Sequence, residues 1–333
     1  MLDYRSKTMK LFPVALLIMG LLFGSATSAQ PDAMRSAATA KAQQKAGQRH
    51  RGDAKRHRAR PAKLARPAPL RSSAVTILDP GTGQVVYQKN ARAIMPIASL
   101  TKLMTALVVL EADQDMNETL TVSKLDIDRL KFSSSRLRPG TRLTRAAMLH
   151  IALMSSENRA ASALGRYYPG GTGQLVRAMN AKARALGMVR THYVEPTGLS
   201  SANVSSPEDL AKLVLAVQKY DRIRQYSTDR QFTITQGRQH TVYHNTNRLT
   251  ANPSWKIHLQ KTGYISEAGR CMVLYATVRG RPMVMVFLNS QGKFSRAADA
   301  NAVRAWLVGG VPAHAARAKR PASLAGAASP GHD

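Results

Sequence analysis

The chain has 333 residues, with 49 Lys and Arg against 19 Asp and Glu, giving a formal charge of +30 and an isoelectric point near 11.0. One cysteine excludes an intrachain disulfide framework, and 44% apolar residues exclude a wholly disordered chain. So basic a balance points to an anionic partner: nucleic acid, anionic lipid or a charged wall polymer.

The charge is unevenly placed. Arg5, Lys7 and Lys10 precede an apolar run at 11–23, followed by the small residues Ser25, Ala26, Thr27, Ser28 and Ala29. A membrane span needs ~20 apolar residues. This shorter run with a basic flank and a small-residue exit reads as a signal peptide over 1–29, cleaved near Ala29. Met9 is an alternative start to Met1, because Met9-Lys10 gives a more usual short basic start, and an uncleaved anchor is the alternative to cleavage. Export argues against nucleic acid as the natural partner. Residues 30–73 then carry twelve Lys and Arg against Asp32 and Asp53 and few large apolar side chains. Such a segment cannot bury enough surface to offset its ordering entropy, and is expected to be a disordered basic arm.

From 74 to 307 the composition is that of one globular domain, long enough for a real core. Apolar residues on either side of Asp79-Pro80-Gly81-Thr82-Gly83 predict a β-hairpin. Ser99 opens a helix in which Leu103, Met104, Ala106, Leu107 and Leu110 recur with helical spacing. A buried helical stretch over 149–154 leads to Ser156. Further helices are expected at 158–167, at 173–186 with Gly187 as C-terminal cap, and from Pro207 to about 220. A second hairpin is expected over 271–288, about the turn at 279–282, followed by a helix at 296–307. The remainder, 308–333, reads as a disordered tail. Strands at both ends with helices between them predict an α+β domain with a helical insert.

Three short motifs carry chemistry. In Ser99-Leu100-Thr101-Lys102, Ser99 and Lys102 share one face of a helical turn. A serine hydroxyl attacks only when a base takes its proton, and lysine is that base only when burial or a second cation, such as Lys261, lowers its pKa. The first N–H groups of the helix suit an oxyanion. Ser156-Glu157-Asn158 offers a hydroxyl to relay a proton and an amide to bind Lys102 and substrate. Lys261-Thr262-Gly263 on a strand offers an ammonium and a hydroxyl to a carboxylate. Gly263 there lets substrate backbone approach closely, and the N–H of Tyr264 is a second oxyanion donor. Each motif alone has a plain structural reading as a cap, a solvated lysine or a turn. Ser290-Gln291-Gly292-Lys293 and Ser201-Ala202-Asn203 repeat two of the patterns but lie outside the expected helical contexts.

Together and in this order, the motifs are those of penicillin-binding proteins and class A β-lactamases. The chain resembles the low-molecular-mass penicillin-binding proteins, the D-alanyl-D-alanine peptidases of family S11, and in particular the penicillin-binding protein 7 type of endopeptidase. The stretches Ile97-Ala98-Ser99-Leu100-Thr101-Lys102-Leu103-Met104-Thr105-Ala106 and Leu153-Met154-Ser155-Ser156-Glu157-Asn158-Arg159-Ala160-Ala161 carry that likeness. Glu195-Pro196-Thr197-Gly198-Leu199, His244-Asn245-Thr246-Asn247 and Gln260-Lys261-Thr262-Gly263 extend it. It spans about 74–307 and leaves out the basic arm.

The resemblance implies a β-lactamase/transpeptidase-like fold with an antiparallel sheet packed against helices. It implies that Ser99 is acylated, Lys102 accepts its proton, Ser156 and Asn158 complete the cleft, and Lys261, with Thr262 and Gly263, binds substrate. The N–H groups of Ser99 and Tyr264 form the oxyanion hole. The implied partners are peptidoglycan peptides, with β-lactams as covalent inhibitors, in the periplasm. Glu157 departs from the aspartate of the wider family, as the endopeptidase branch allows.

Two rivals remain. A class A-like β-lactamase would use Glu195 to activate water, although Leu199 stands where a water-holding asparagine is expected. A non-catalytic wall- or polyanion-binding protein would act through its basic arm. No metal or cofactor motif appears: His240 and His244 lie on an extended stretch, His150 and His258 sit in apolar surroundings, and Cys271 reads as a core residue.

Overall fold

The computed structural model describes residues 66–309. The signal segment, the basic segment as far as residue 65 and the tail from residue 310 lie outside the described residues.

The chain opens with β1 (Ser72–Asp79), β2 (Gln84–Lys89) and the short β3 (Met95–Pro96). A 3-10 turn over Ala98–Leu100 runs directly into α1 (Thr101–Glu111). The helical part follows, with β4 (Thr119–Thr121), β5 (Arg142–Thr144), α2 (Arg145–Met154), α3 (Asn158–Arg166), α4 (Gly171–Ala185) and β6 (Val204–Ser205). Next come α5 (Pro207–Val217), α6 (Asp221–Thr228) and the hairpin β7 (Gln231–Gln236) and β8 (Gln239–His244). Three long strands, β9 (Lys256–Ile265), β10 (Gly269–Val278) and β11 (Arg281–Ser290), lead to α7 (Ser295–Val308).

The main sheet has the order β2-β1-β11-β10-β9, antiparallel throughout, so both ends of the domain meet in it and the helices form an insert. This is the expected α+β architecture. The central strands are buried on both faces. Ala74, Val273, Val284 and Val286 share a core with Leu103, Leu107 and Ile151 of the helical part. Val75, Ile77, Met272, Leu274, Met285 and Phe287 face Ala300 and Val303 of α7. Two apolar faces turn the period-2 signal into a continuous apolar run. Residues 101–109 of α1 are all buried, as befits a helix apolar nearly all round.

Local chemistry sets the helix ends. Thr144 caps α2 by accepting from the Ala147 N–H, and Ser206 caps α5 with Pro207 in its first turn. Gly187, at φ +67°, closes α4 in the left-handed conformation expected of it. The helix from Pro207 stops at Val217, and α6 begins a separate helix at Asp221. The β7–β8 hairpin was not anticipated from sequence, because its Gln- and Thr-rich strands bury only Ile234 and Tyr243.

The folded domain also begins earlier than composition indicates. Ser72 pairs with Ser290, and buried Asp299 of α7 accepts from the N–H of Arg71 (2.9 Å), the N–H of Ser72 (2.7 Å) and Ser72 Oγ (2.5 Å). Polar residues whose backbone is paired carry no hydrophobic signal, so the boundary at 73/74 falls inside β1. At the other end Val308 still belongs to α7. Asp299→Ala leaves the buried Ser72 donors unpaired and is expected to cost about 2–4 kcal/mol. The melting temperature followed by circular dichroism should fall by about 5–10 °C, whereas an unchanged melt would show that Asp299 does not anchor β1.

Candidate active site

Ser99 lies in the 3-10 turn before α1, and Lys102 lies in the first turn of the helix. The turn packs against β9, the free edge of the sheet. Two glycines permit that approach. A Cβ on Gly198, at φ +81°, would lie 2.0 Å from the Ala98 carbonyl oxygen and 2.8 Å from the Ser99 nitrogen. A Cβ on Gly263 would lie 3.0 Å from the Ile97 oxygen, the Ala98 Cβ and the Ser99 nitrogen. The space beside Gly263 is therefore taken by the protein's own 97–99 segment, where the sequence reading had placed substrate backbone. Ala98 itself is held at φ +47° and Ser156 at φ +63°, both in the region costly for side-chain-bearing residues.

Lys102 is 1% exposed, and its Nζ meets three oxygens: Ser99 Oγ at 2.9 Å, Asn158 Oδ1 at 2.7 Å and the Thr197 carbonyl at 2.6 Å. Burial lowers its pKa to about 8 against the opposing pull of Glu195, Glu157 and Asp128. The expected depression is thus present, but desolvation causes it rather than Lys261. The two cations make themselves felt at Lys261, which burial first, then Lys102 and Arg296, push well below the ordinary lysine value.

As a neutral amine, Lys102 has two N–H bonds and one lone pair. Asn158 Oδ1 and the Thr197 carbonyl can only accept, so they take both N–H groups. The lone pair is left for the Ser99 hydroxyl.

Ser156 follows α2, and Asn158 opens α3, where Glu157 caps the Arg159 N–H. Lys261 Nζ reaches across from β9 to Ser156 Oγ at 2.9 Å and also donates to the Thr262 carbonyl at 2.8 Å. The side chain of Lys261 is fully buried. Thr262 Oγ1 lies 2.7 Å from Thr246 Oγ1, and the Thr246 N–H donates to the Met154 carbonyl just ahead of Ser156. Asn245 bridges Ser227, Asp229 and Gln260, tying that loop to β9. Tyr264, one residue beyond Gly263, is 57% exposed on the same edge strand. The structure thus brings Ser99, Lys102, Ser156, Asn158, Lys261, Thr262 and Gly263 together between the helical insert and the sheet edge, with Tyr264 exposed on the same strand.

Several contributors were not visible in the motifs. Thr197 figures in the sequence only within the stretch Glu195–Leu199 that extends the likeness, with no role of its own. Glu195 accepts from the Thr197 N–H (2.6 Å), Thr197 Oγ1 (2.5 Å), the Gly198 N–H (2.6 Å) and Asn203 Nδ2 (2.8 Å), which fixes that turn under Ser99. Arg296, in the first turn of α7, donates to the Gly263 carbonyl at 3.0 Å and puts a further positive charge behind the Lys261–Gly263 stretch. Nothing in the local pattern around Arg296 reveals this, because the contact crosses two strands.

The discarded look-alikes are structural. Asn203 is buried and braces the 194–195 backbone and Thr101, and Ser290 turns toward Asp299. His150 pairs with Asp229 at 3.0 Å and stacks on Tyr226. Cys271 is buried, its thiol pushed up to about 11 by burial. Among the described residues, no three His, Cys, Asp or Glu side chains gather as a metal site.

Residues 61–292 match the peptidase S11 family model, described as D-alanyl-D-alanine carboxypeptidase. A D-alanyl-D-alanine endopeptidase of Pseudomonas aeruginosa is 44% identical over 253 residues, covering 75% of this chain and 82% of the relative. One of Escherichia coli is 41% identical over 257 residues, covering 75% and 83%. The crystal structure of the Streptomyces K15 DD-transpeptidase superimposes with a TM-score of 0.67 at 27% identity, covering 73% of this chain and 98% of that one. The chain therefore belongs to the S11 family of D-alanyl-D-alanine carboxypeptidases and endopeptidases, serine-type hydrolases that bind penicillin.

Proposed function

We propose that Ser99 is the nucleophile and Lys102 its general base, and that the acyl group is carried on Ser99 Oγ. The observation that supports this most directly is the 2.9 Å contact between Lys102 Nζ and Ser99 Oγ in a site where the other two Nζ partners are pure acceptors. In the forward step Ser99 Oγ attacks the carbonyl of a D-alanyl peptide bond as its proton passes to Lys102. The oxyanion forms against the N–H groups of Ser99 and Tyr264, where losing one donor typically costs about 10²–10³ in rate. Ser156, held by Lys261, carries a proton to the departing amine. Thr262 and the positive charges of Lys261 and Arg296 draw in the substrate carboxylate. Water then releases the acyl group and restores Ser99.

Of the two peptidase reactions, the relatives at 44% and 41% identity favour the cross-link-cleaving one. The β-lactamase alternative loses its water-activating group, because Glu195 is fully engaged by its own loop.

Intact-mass measurement after incubation with benzylpenicillin is expected to show one persistent adduct per chain, absent from Ser99→Ala. The unmodified protein should open a D-alanyl cross-linked muropeptide dimer, and the variant should lose that activity by at least about 10³-fold. Rapid penicillin turnover would restore the β-lactamase reading, and an adduct on Ser99→Ala would move the nucleophile elsewhere.

We further propose that residues 1–29 direct export to the periplasm and that the basic segment from residue 30 up to β1 holds the enzyme on anionic wall or lipid. The support is its twelve basic residues facing two acidic ones. Binding to isolated sacculi should weaken steeply between low and physiological salt, and in a protein lacking 30–65. Salt-insensitive binding would contradict an electrostatic tether.

A further inference from the structure

Only one end of the Asn158 carboxamide is useful to Lys102. Its Oδ1 accepts from Lys102 Nζ at 2.7 Å, while its Nδ2 donates to Ser133 Oγ at 2.9 Å. Turned over, the same group would aim N–H bonds at Lys102 and occupy its lone pair. An ammonium only donates and itself selects Oδ1, but a neutral amine can donate or accept, so in the form that serves as base Lys102 does not select the end that faces it.

The selection comes from the other side of Asn158. Ser133 Oγ donates to Asp128 Oδ2 at 2.6 Å. The same carboxylate accepts the N–H groups of Ser133 (2.9 Å), Leu130 (2.8 Å) and Lys131 (3.0 Å). Burial acts to raise the Asp128 pKa, but the hydrogen bonds from Ser133, Lys131 and Leu130 outweigh it and hold the group below the usual aspartate value. An ionised carboxylate only accepts, so the one hydroxyl proton of Ser133 goes to Asp128. The lone pairs of Ser133 then face Asn158 and are met only by its N–H end.

We propose that Asp128, acting through Ser133, fixes which end of Asn158 faces Lys102 and thereby keeps the Lys102 lone pair free for Ser99. Both are positioning residues, since neither contacts Ser99 or the substrate carbonyl. This inference rests on the Ser99–Lys102 reading above and extends it to a loop in which the motifs assign no role.

Ser133→Ala isolates the link. It keeps all three backbone N–H bonds to Asp128, so the loop retains its brace. It also removes none of the charged groups around Lys102, which are Glu195 from the loop after α4, Glu157 at the start of α3, Asp128 and Lys261 on β9, although Asp128 loses one of the hydrogen bonds that hold its pKa down.

The test is the second-order rate of acylation by a penicillin as a function of pH, measured on the full mature chain, on Ser133→Ala and on Ser133→Thr. Ser133→Ala should react about tenfold or more slowly. Its acid limb should move to lower pH, because the Lys102 ammonium loses a fixed acceptor. Ser133→Thr, which keeps the hydroxyl, should restore both rate and limb. A Ser133→Ala limb at the parental position, at any rate, overturns the proposal, as does a Thr variant that restores neither. A parent that is not acylated at all would instead overturn the acyl-serine reading itself.

Discussion

A lysine amine enclosed among three oxygens is the constraint on which the cleft depends. Moving Lys102 from an ordinary value of 10.5 to about 8 corresponds to about 3 kcal/mol of disfavoured charge. In the neutral form both N–H bonds go to acceptors, and on the proposed reading of Lys102 as base the remaining lone pair is directed at Ser99. The surrounding structure serves that geometry. Glu195 fixes the turn that offers the Thr197 carbonyl, and Gly198 lets the turn slide beneath Ala98. Ala98 takes a left-handed conformation as the chain turns into α1 and presents Ser99.

The second constraint is that the site straddles two bodies of structure. The helical insert supplies Lys102 and Asn158 on helices packed through a common core and Ser156 on the link between α2 and α3, and the sheet edge supplies Lys261, Thr262 and Gly263 on one strand. Lys261 joins the two through Ser156, and Thr262 joins them again through Thr246. A free strand edge is a liability in most sheets. In this domain β9 faces the 97–99 turn, and the cleft opens along that edge.

The sequence made some of this legible and hid the rest for physical reasons. The three motifs were readable because catalysis demands particular side chains at short, fixed spacing, as with Ser99 and Lys102 on one turn. The two hairpins were readable because apolar runs flank turn sequences, and α7 because its apolar residues recur with helical spacing. Thr197 was not, because it acts through its carbonyl, which every residue possesses. Ser133 and Arg296 were hidden because their contacts to Asn158 and Gly263 join distant segments with no shared pattern, and Asp128 because it acts through Ser133. Ser72 was misassigned to the arm because a polar strand end is stabilised by backbone pairing and Asp299, neither of which appears in composition.

The central claim is that Lys102 is a base made by burial, and direct titration of that residue tests it. The protein would carry lysine labelled with carbon-13 at the ε position, with the Lys102 signal assigned by comparison with Lys102→Arg. The expected titration midpoint is about 8. A midpoint at or above the ordinary lysine value of about 10.4 would show that Lys102 stays charged at working pH and would contradict its role as the base.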